Sequence, residues 1–171
     1  MYKKLFSTAL FAVLLSAASF AQKIAIVDIN AILESMPDYQ KAQQQLDQVA
    51  TQWRQEIAVE QDKIKALYSK YQAEQVLLSE EMKRQREDEI TAKEKEVREL
   101  QRQKFGAEGS LFKKREELVK PIQDKVYSTI KQYAENRGYD FIFDKGSSSG
   151  MIFSDPKNDK TEEVKGILKK G

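Results

Sequence analysis

Three carboxylates, Asp28, Asp140 and Asp144, stand at the ends of short apolar segments, where a pair could serve as general acid and base. Acids at strand ends more often close turns or cap helices. The 171-residue chain contains no histidine, which removes the commonest proton-transfer group and metal ligand. It contains no cysteine either, so thiol chemistry, disulfides and cysteine-based metal sites are excluded. The one glycine-rich stretch, Gly146-Ser147-Ser148-Ser149-Gly150, has neither the spacing of a dinucleotide-binding turn nor that of a P-loop, and no helix follows it directly. No catalytic, cofactor-binding or metal-ligating residue is assigned. The chain is expected not to be an enzyme and to need no cofactor.

The segments around these acids are strands. Ile24-Ala25-Ile26-Val27 is too short for a helix and rich in β-branched residues. Asp28 or Asn30 then suits the cap of a short helical turn through Ile32, Leu33 and Met36, and Pro37 suits the entry of a new helix. Tyr139 to Phe143 reads as a second strand and Met151-Ile152-Phe153 as its hairpin partner, with Arg137-Gly138 ending the helix before them. Thr161 is expected to cap a final helix whose apolar face is Val164, Ile167 and Leu168.

Between Asp38 and Arg137 the pattern is helical. Leu46, Val49, Trp53, Ile57, Ile64, Leu67 and Tyr71 form a narrow, near-heptad seam among Gln, Lys and Glu, as in a coiled coil. The period fails at Val76-Leu77-Leu78, and Ser79-Glu80-Glu81 has the form of a helix start. A second seam runs from Ile90 through Val97, Leu100, Phe105, Leu111, Leu118, Ile122, Val126 and Ile130 to Tyr133. Folding back at 76–79 sets Leu67 against Ile90, Ile57 against Leu100, Leu46 against Leu111, and Trp53 against Lys104 with Phe105 beside it. The expectation is an antiparallel hairpin arm roughly 60 Å long. Gly106 and Gly109 interrupt its return helix, at about 1 kcal/mol each against alanine, and Pro121 should kink it; these features suggest a compliant arm. The expected fold is thus α+β. Residues 22–37 and 138–171 form a small β-rich body that self-associates for want of a core of its own, and residues 38–137 form the helical arm.

Two surface features of the arm bear on function. Val59, Tyr68, Val76, Leu77, Met82 and Phe112 lie off the seams, where they would offer weak, scattered contacts to unfolded chains or pack on neighbouring protomers. Lys83, Arg84 and Arg86 lie near the turn, with Glu87, Asp88 and Glu89 directly after them. They form either a solvated helix face with internal ion pairs or a cationic tip for anionic lipid or acidic client segments.

Residues 1–21 read as an export signal: Lys3-Lys4, an apolar Leu5–Leu15 stretch shorter than a membrane span, and small residues at Ser19 and Ala21. Cleavage is expected after Ala21, with Gln22 excluding a lipoprotein site. Removal of Lys3 and Lys4 from the 29 basic residues leaves 27, equal to the 27 acids. A neutral mature chain has no general attraction for nucleic acid.

The order Lys23-Ile24-Ala25-Ile26-Val27-Asp28, long helical hairpin, Tyr139-Asp140-Phe141-Ile142-Phe143-Asp144 and closing Thr161-Glu162-Glu163-Val164 helix resembles the Skp/OmpH family of periplasmic chaperones over the mature chain. Leu78-Ser79-Glu80-Glu81 and Leu118-Val119-Lys120-Pro121-Ile122 match family positions as well. The resemblance implies a homotrimer with one shared β body, in which Ile24, Ile26, Phe141, Phe143 and Ile152 are candidate oligomerisation residues. It also implies an ATP-independent holdase for unfolded outer-membrane proteins, bound in a cavity between the arms. The chain departs from the family's best-known members in charge, since they are strongly basic. A structural or adaptor coiled-coil protein of the cell envelope is the alternative.

Overall fold

The computed structural model describes residues 22–147 and 151–170. The expected export signal and Ser148 to Gly150 of the glycine-rich stretch lie outside the described residues. In chain order the elements are β1 (Ile24–Val27), α1 (Ile29–Glu34), α2 (Pro37–Glu74), a 3₁₀ turn (Gln75–Leu77), α3 (Glu80–Phe105), α4 (Ser110–Arg137), β2 (Phe141–Asp144), a second 3₁₀ turn (Pro156–Asn158) and α5 (Thr161–Leu168). The chain divides into two compact units, Leu33–Tyr127 and the residues on either side of that span.

The unit holding both strands is built on a parallel pair. β1 and β2 align Ile24 with Phe141 and continue in register to Val27 with Asp144. Both ends are tied: Lys23 N donates to Asp140 Oδ2 at 2.7 Å, and Lys145 N donates to Val27 O at 2.8 Å. The other edge of β1 is also used, since Ile26 bridges Asp159 and its carbonyl accepts from Lys160 N at 2.8 Å. Ala25, Ile26 and Val27 are buried, as are Ile32, Tyr133 and Val164 of the same unit.

This pairing corrects the expected hairpin. Met151-Ile152-Phe153 forms no strand, and the partner of β2 is β1. The reason is burial: β1 puts three apolar side chains into the unit's core, whereas Ile152 is 100 % exposed and Phe153 84 %. Thr161 is corrected likewise. It is the first residue of α5, not its cap, because its hydroxyl is occupied elsewhere. Thr161 Oγ1 accepts from Asp28 N at 2.9 Å and donates to Asp159 Oδ1 at 2.6 Å. Gly138, at φ +65°, occupies the left-handed position that ends α4.

In the second unit, α2 opens with Pro37 at its first position and runs for 38 residues. The chain turns through Gln75–Leu77, and Ser79 Oγ accepts from Met82 N at 3.3 Å to start α3. Contacts between α2 and the later helices run in opposite numerical order. Tyr71 donates to Glu87 and Tyr68 to Glu94, Lys104 Nζ lies 3.8 Å from Glu56, and Trp53 meets Phe105 edge-on at 6.2 Å. Further along, Leu111 packs on the buried cluster of Ala42, Leu46 and Val119. Ala50, Ile57, Ile90 and Val97 complete a thin apolar seam.

The expected single return helix is two helices. It breaks at Gly106–Gly109 and runs unbroken through Pro121, so the glycines, not the proline, end it. Gly106 is extended (ψ 170°), and a Cβ there would lie 2.4 Å from the Arg102 carbonyl oxygen. A Cβ on Gly109 would lie 2.9 Å from the Gln103 carbonyl oxygen. Both positions therefore need glycine. In a regular helix Gly→Ala would stabilise by about 1 kcal/mol; here Gly106→Ala is expected to destabilise by about 1–3 kcal/mol. A lowered urea midpoint checks this, and a raised one would show that the break is helical in solution.

Candidate functional site

The strand-end acids hold the backbone. Asp28 Oδ1 accepts from Ala31 N at 2.8 Å and caps α1, and Asp140 holds the amide of Lys23. Asp144 Oδ1 accepts from Ile29 N at 3.2 Å and from Gly146 N at 3.0 Å. Lys145 Nζ lies 2.8 Å from Asp159 and 3.9 Å from Asp28, so one cation joins the end of β1 to the residues before α5. Burial raises the Asp159 carboxyl, but hydrogen bonds from Lys145 and Thr161 outweigh it and hold the group at about 2. The Tyr133 hydroxyl donates to Glu163 at 2.6 Å and is pushed up by burial first and by that carboxylate second. Lys145, Asp159, Thr161 and Tyr133 form the polar frame of this unit, a role that the sequence pattern assigns to none of them, Thr161 being expected as a cap and Tyr133 as a seam residue. Their only linear trace is the Asp-x-Thr spacing before α5.

The candidate contact residues on the helices are all exposed. Val59, Tyr68 and Phe112 lie along α2 and α4, with Tyr68 also hydrogen-bonded to Glu94 at 2.9 Å. Tyr127 was not anticipated; it is exposed and lines one groove with Phe112, Tyr39, Val119 and Lys120. Its signal was a recurrence at 112, 116, 119, 123 and 127, one face of a helix. Val76 and Leu77 occupy the 3₁₀ turn, with Met82 on the first turn of α3. Of the candidate cations, Lys83 pairs with Glu80 at 2.7 Å and Arg86 with Glu89 at 2.8 Å. Arg84 is exposed and enters no ion pair among the described residues. The turn region is therefore mostly neutralised by ion pairing along the helix.

The candidate oligomerisation residues divide by environment. Ile26 is buried, whereas Ile24, Phe141, Phe143 and Ile152 are exposed. Phe141 and Phe143 stack with ring centres 6.3 Å apart, giving a continuous aromatic surface on one face of β2. Among the described residues no helix is long and apolar enough to cross a membrane.

The Asp159 frame has a pH consequence. Its folded carboxyl titrates near 2, below the roughly 3.9 of an unfolded aspartate. The stabilisation is thus complete above about pH 4 and is lost as pH falls toward 2. Asp159→Asn is expected to cost about 1–3 kcal/mol at neutral pH, with the gap to the parent chain closing between pH 4 and 2. Urea unfolding across that range checks it, and a gap independent of pH would contradict it.

Comparison with known proteins agrees with this architecture. The family model described as "Outer membrane protein (OmpH-like)" matches residues 23–168. A protein of Aquifex aeolicus (strain VF5), named only as uncharacterized, is 32 % identical over 151 residues, covering 88 % of each chain. A solved structure of a candidate outer membrane chaperone (OmpH-like) from Caulobacter crescentus CB15 has the same fold at TM-score 0.68 and 12 % identity, covering 86 % of this chain and 84 % of that one. With the match spanning both strands and every helix described above, the chain belongs to the OmpH-like outer membrane protein family.

Proposed function

We propose that this protein is an ATP-independent holdase of the periplasm that keeps unfolded outer-membrane proteins from aggregating. The observation that carries the reading is the set of exposed apolar side chains, Val59, Tyr68, Phe112 and Tyr127, on helices whose remaining surface is densely charged. Contacts that are individually weak and widely spaced suit clients without a common structure, because no single pocket selects among them. The charged surface between them keeps the carrier itself soluble. The OmpH-like family supports the same reading, and the basic and apolar pattern of residues 1–21 supports export.

In this proposal residues 38–137 form an antiparallel hairpin arm, a reading supported by the reversed order of contacts between α2 and the later helices. Residues 22–37 and 138–171 form the body of a homotrimer whose three arms enclose the client. A two-stranded sheet is marginal alone, and the exposed Ile24, Phe141, Phe143 and Ile152 are the surface that partner copies would cover. The ion pairs of Lys83 and Arg86 leave Arg84 as the main cation for any contact with anionic lipid.

The purified chain from Gln22 onward is expected to suppress aggregation of a urea-denatured β-barrel membrane protein near one trimer per client without ATP. Light scattering checks this. No suppression, together with fixed-stoichiometry binding to a folded envelope protein, would instead identify an adaptor coiled coil. By sedimentation the chain is expected at three times its protomer mass, and Phe141→Ser with Ile152→Ser is expected to shift it toward the monomer. A monomeric parent chain would refute the shared body.

A further inference from the structure

The groove between α2 and α4 differs from the rest of the helical surface in what it leaves unpaired. Elsewhere polar groups are matched: Tyr68 and Tyr71 donate to Glu94 and Glu87, and Lys63 and Lys93 pair with Glu60 and Glu96. In the groove, the side chains of Tyr39, Gln43, Gln123 and Tyr127 make no hydrogen bond among the described residues. Arg115 and Glu116 likewise enter no ion pair among them. Tyr39, Gln43 and Gln123 are half-buried, where an unmade hydrogen bond costs more than on open surface.

These groups decide what the groove accepts. The amides and hydroxyls both donate and accept, Arg115 only donates, and Glu116 only accepts. Its charges cancel, Arg115 against Glu116 and Lys120 against Asp124, the latter two 3.1 Å apart. An extended peptide main chain has the matching character: N–H and C=O groups in alternation and no net charge. A helix has already used its main-chain groups internally, and so has a second copy presenting its helices. The phosphate of an anionic lipid only accepts, and it would meet Glu116 and Asp124. The groove encloses about 340 Å³, at the small end of ligand sites, which suits a few residues of chain and not a folded domain.

Phe112 and Tyr127 stand roughly 22 Å apart along α4 by helical rise, a span that an extended chain covers in about seven residues. We propose that this groove holds a client by its main chain, as an extended segment bonded through Gln43, Arg115, Glu116 and Gln123 with apolar side chains against Phe112 and Tyr127. The groove then selects conformation and not sequence, because every unfolded chain offers the same backbone. A client that folds bonds its own main chain and gives up the contact, so release needs no nucleotide. The inference rests on the holdase reading and deepens it by naming the form in which the client is recognised.

The test uses the whole chain from Gln22 and a fluorescent nine-residue peptide alternating leucine with serine or threonine. Three comparison probes are the same peptide N-methylated at alternate residues, a leucine peptide locked helical by α-aminoisobutyric acid, and a tetramer of N-acetylglucosamine. The alternating peptide is expected to bind, and N-methylation, which removes main-chain donors and keeps the side chains, should weaken it about tenfold. Gln43→Met/Gln123→Met should weaken the parent peptide by a similar factor and the N-methylated one much less, with helicity retained by circular dichroism. Phe112→Ser should weaken both peptides alike. Equal affinity for the parent and N-methylated peptides would overturn the proposal, as would tighter binding of the helical peptide. Displacement of the peptide by the sugar tetramer would assign the groove to glycan and overturn it too. Aggregation suppression by the parent chain is measured in parallel. Its failure refutes the holdase reading and leaves the peptide result standing, whereas suppression without peptide binding refutes the groove alone.

Discussion

The parallel ladder between β1 and β2 is the constraint on which the rest of the molecule depends. Two parallel strands cannot be joined by a tight turn; the chain must leave one end of the pair and return to the other. Here that crossover is the whole stretch from α1 to α4, more than a hundred residues between Val27 and Phe141. Closing so long a loop costs little more than closing a short one, because the entropy grows only with the logarithm of length. Four residue pairs in register, tied ends and the buried side chains of β1 therefore suffice to bracket a long helical insertion.

The insertion has a different economy. Its seam is thin, with small residues such as Ala42 and Ala50 alternating with Leu46, Ile57, Ile90 and Val97. Ion pairs three or four residues apart, among them Lys63–Glu60, Lys93–Glu96 and Arg102–Glu99, occupy much of the remaining surface. Exposed pairs of this kind contribute little to stability, so they serve mainly to keep long helices hydrated. Polar staples such as Tyr68–Glu94 and Tyr71–Glu87 add direction where the seam lacks bulk. Phe112 and Tyr127 stay exposed on this surface and line one groove of it.

The charge near the helical turn shows how local pairing alters a linear motif. In the sequence, Lys83, Arg84 and Arg86 form a basic cluster. In the folded chain two of the three, Lys83 and Arg86, are matched by Glu80 and Glu89, each about one helical turn away. The pairing of these charges follows from the helical repeat, not from the adjacency of residues along the chain.

Local rules made much of the fold legible. Periodicity marked the seams, Pro37 and Ser79 marked helix starts, Gly138 marked a helix end, and the order of elements marked the family. These features depend on neighbours within a turn or two of helix or on a short strand, which is the range that sequence pattern encodes. Tertiary structure decided what depends on distant residues. It chose β1 over Met151–Phe153 as the partner of β2, because the strand that buries most apolar surface wins the edge. It turned Thr161 from a cap into a bridge to Asp28, and assembled Lys145, Asp159 and Asp28 from three separate segments.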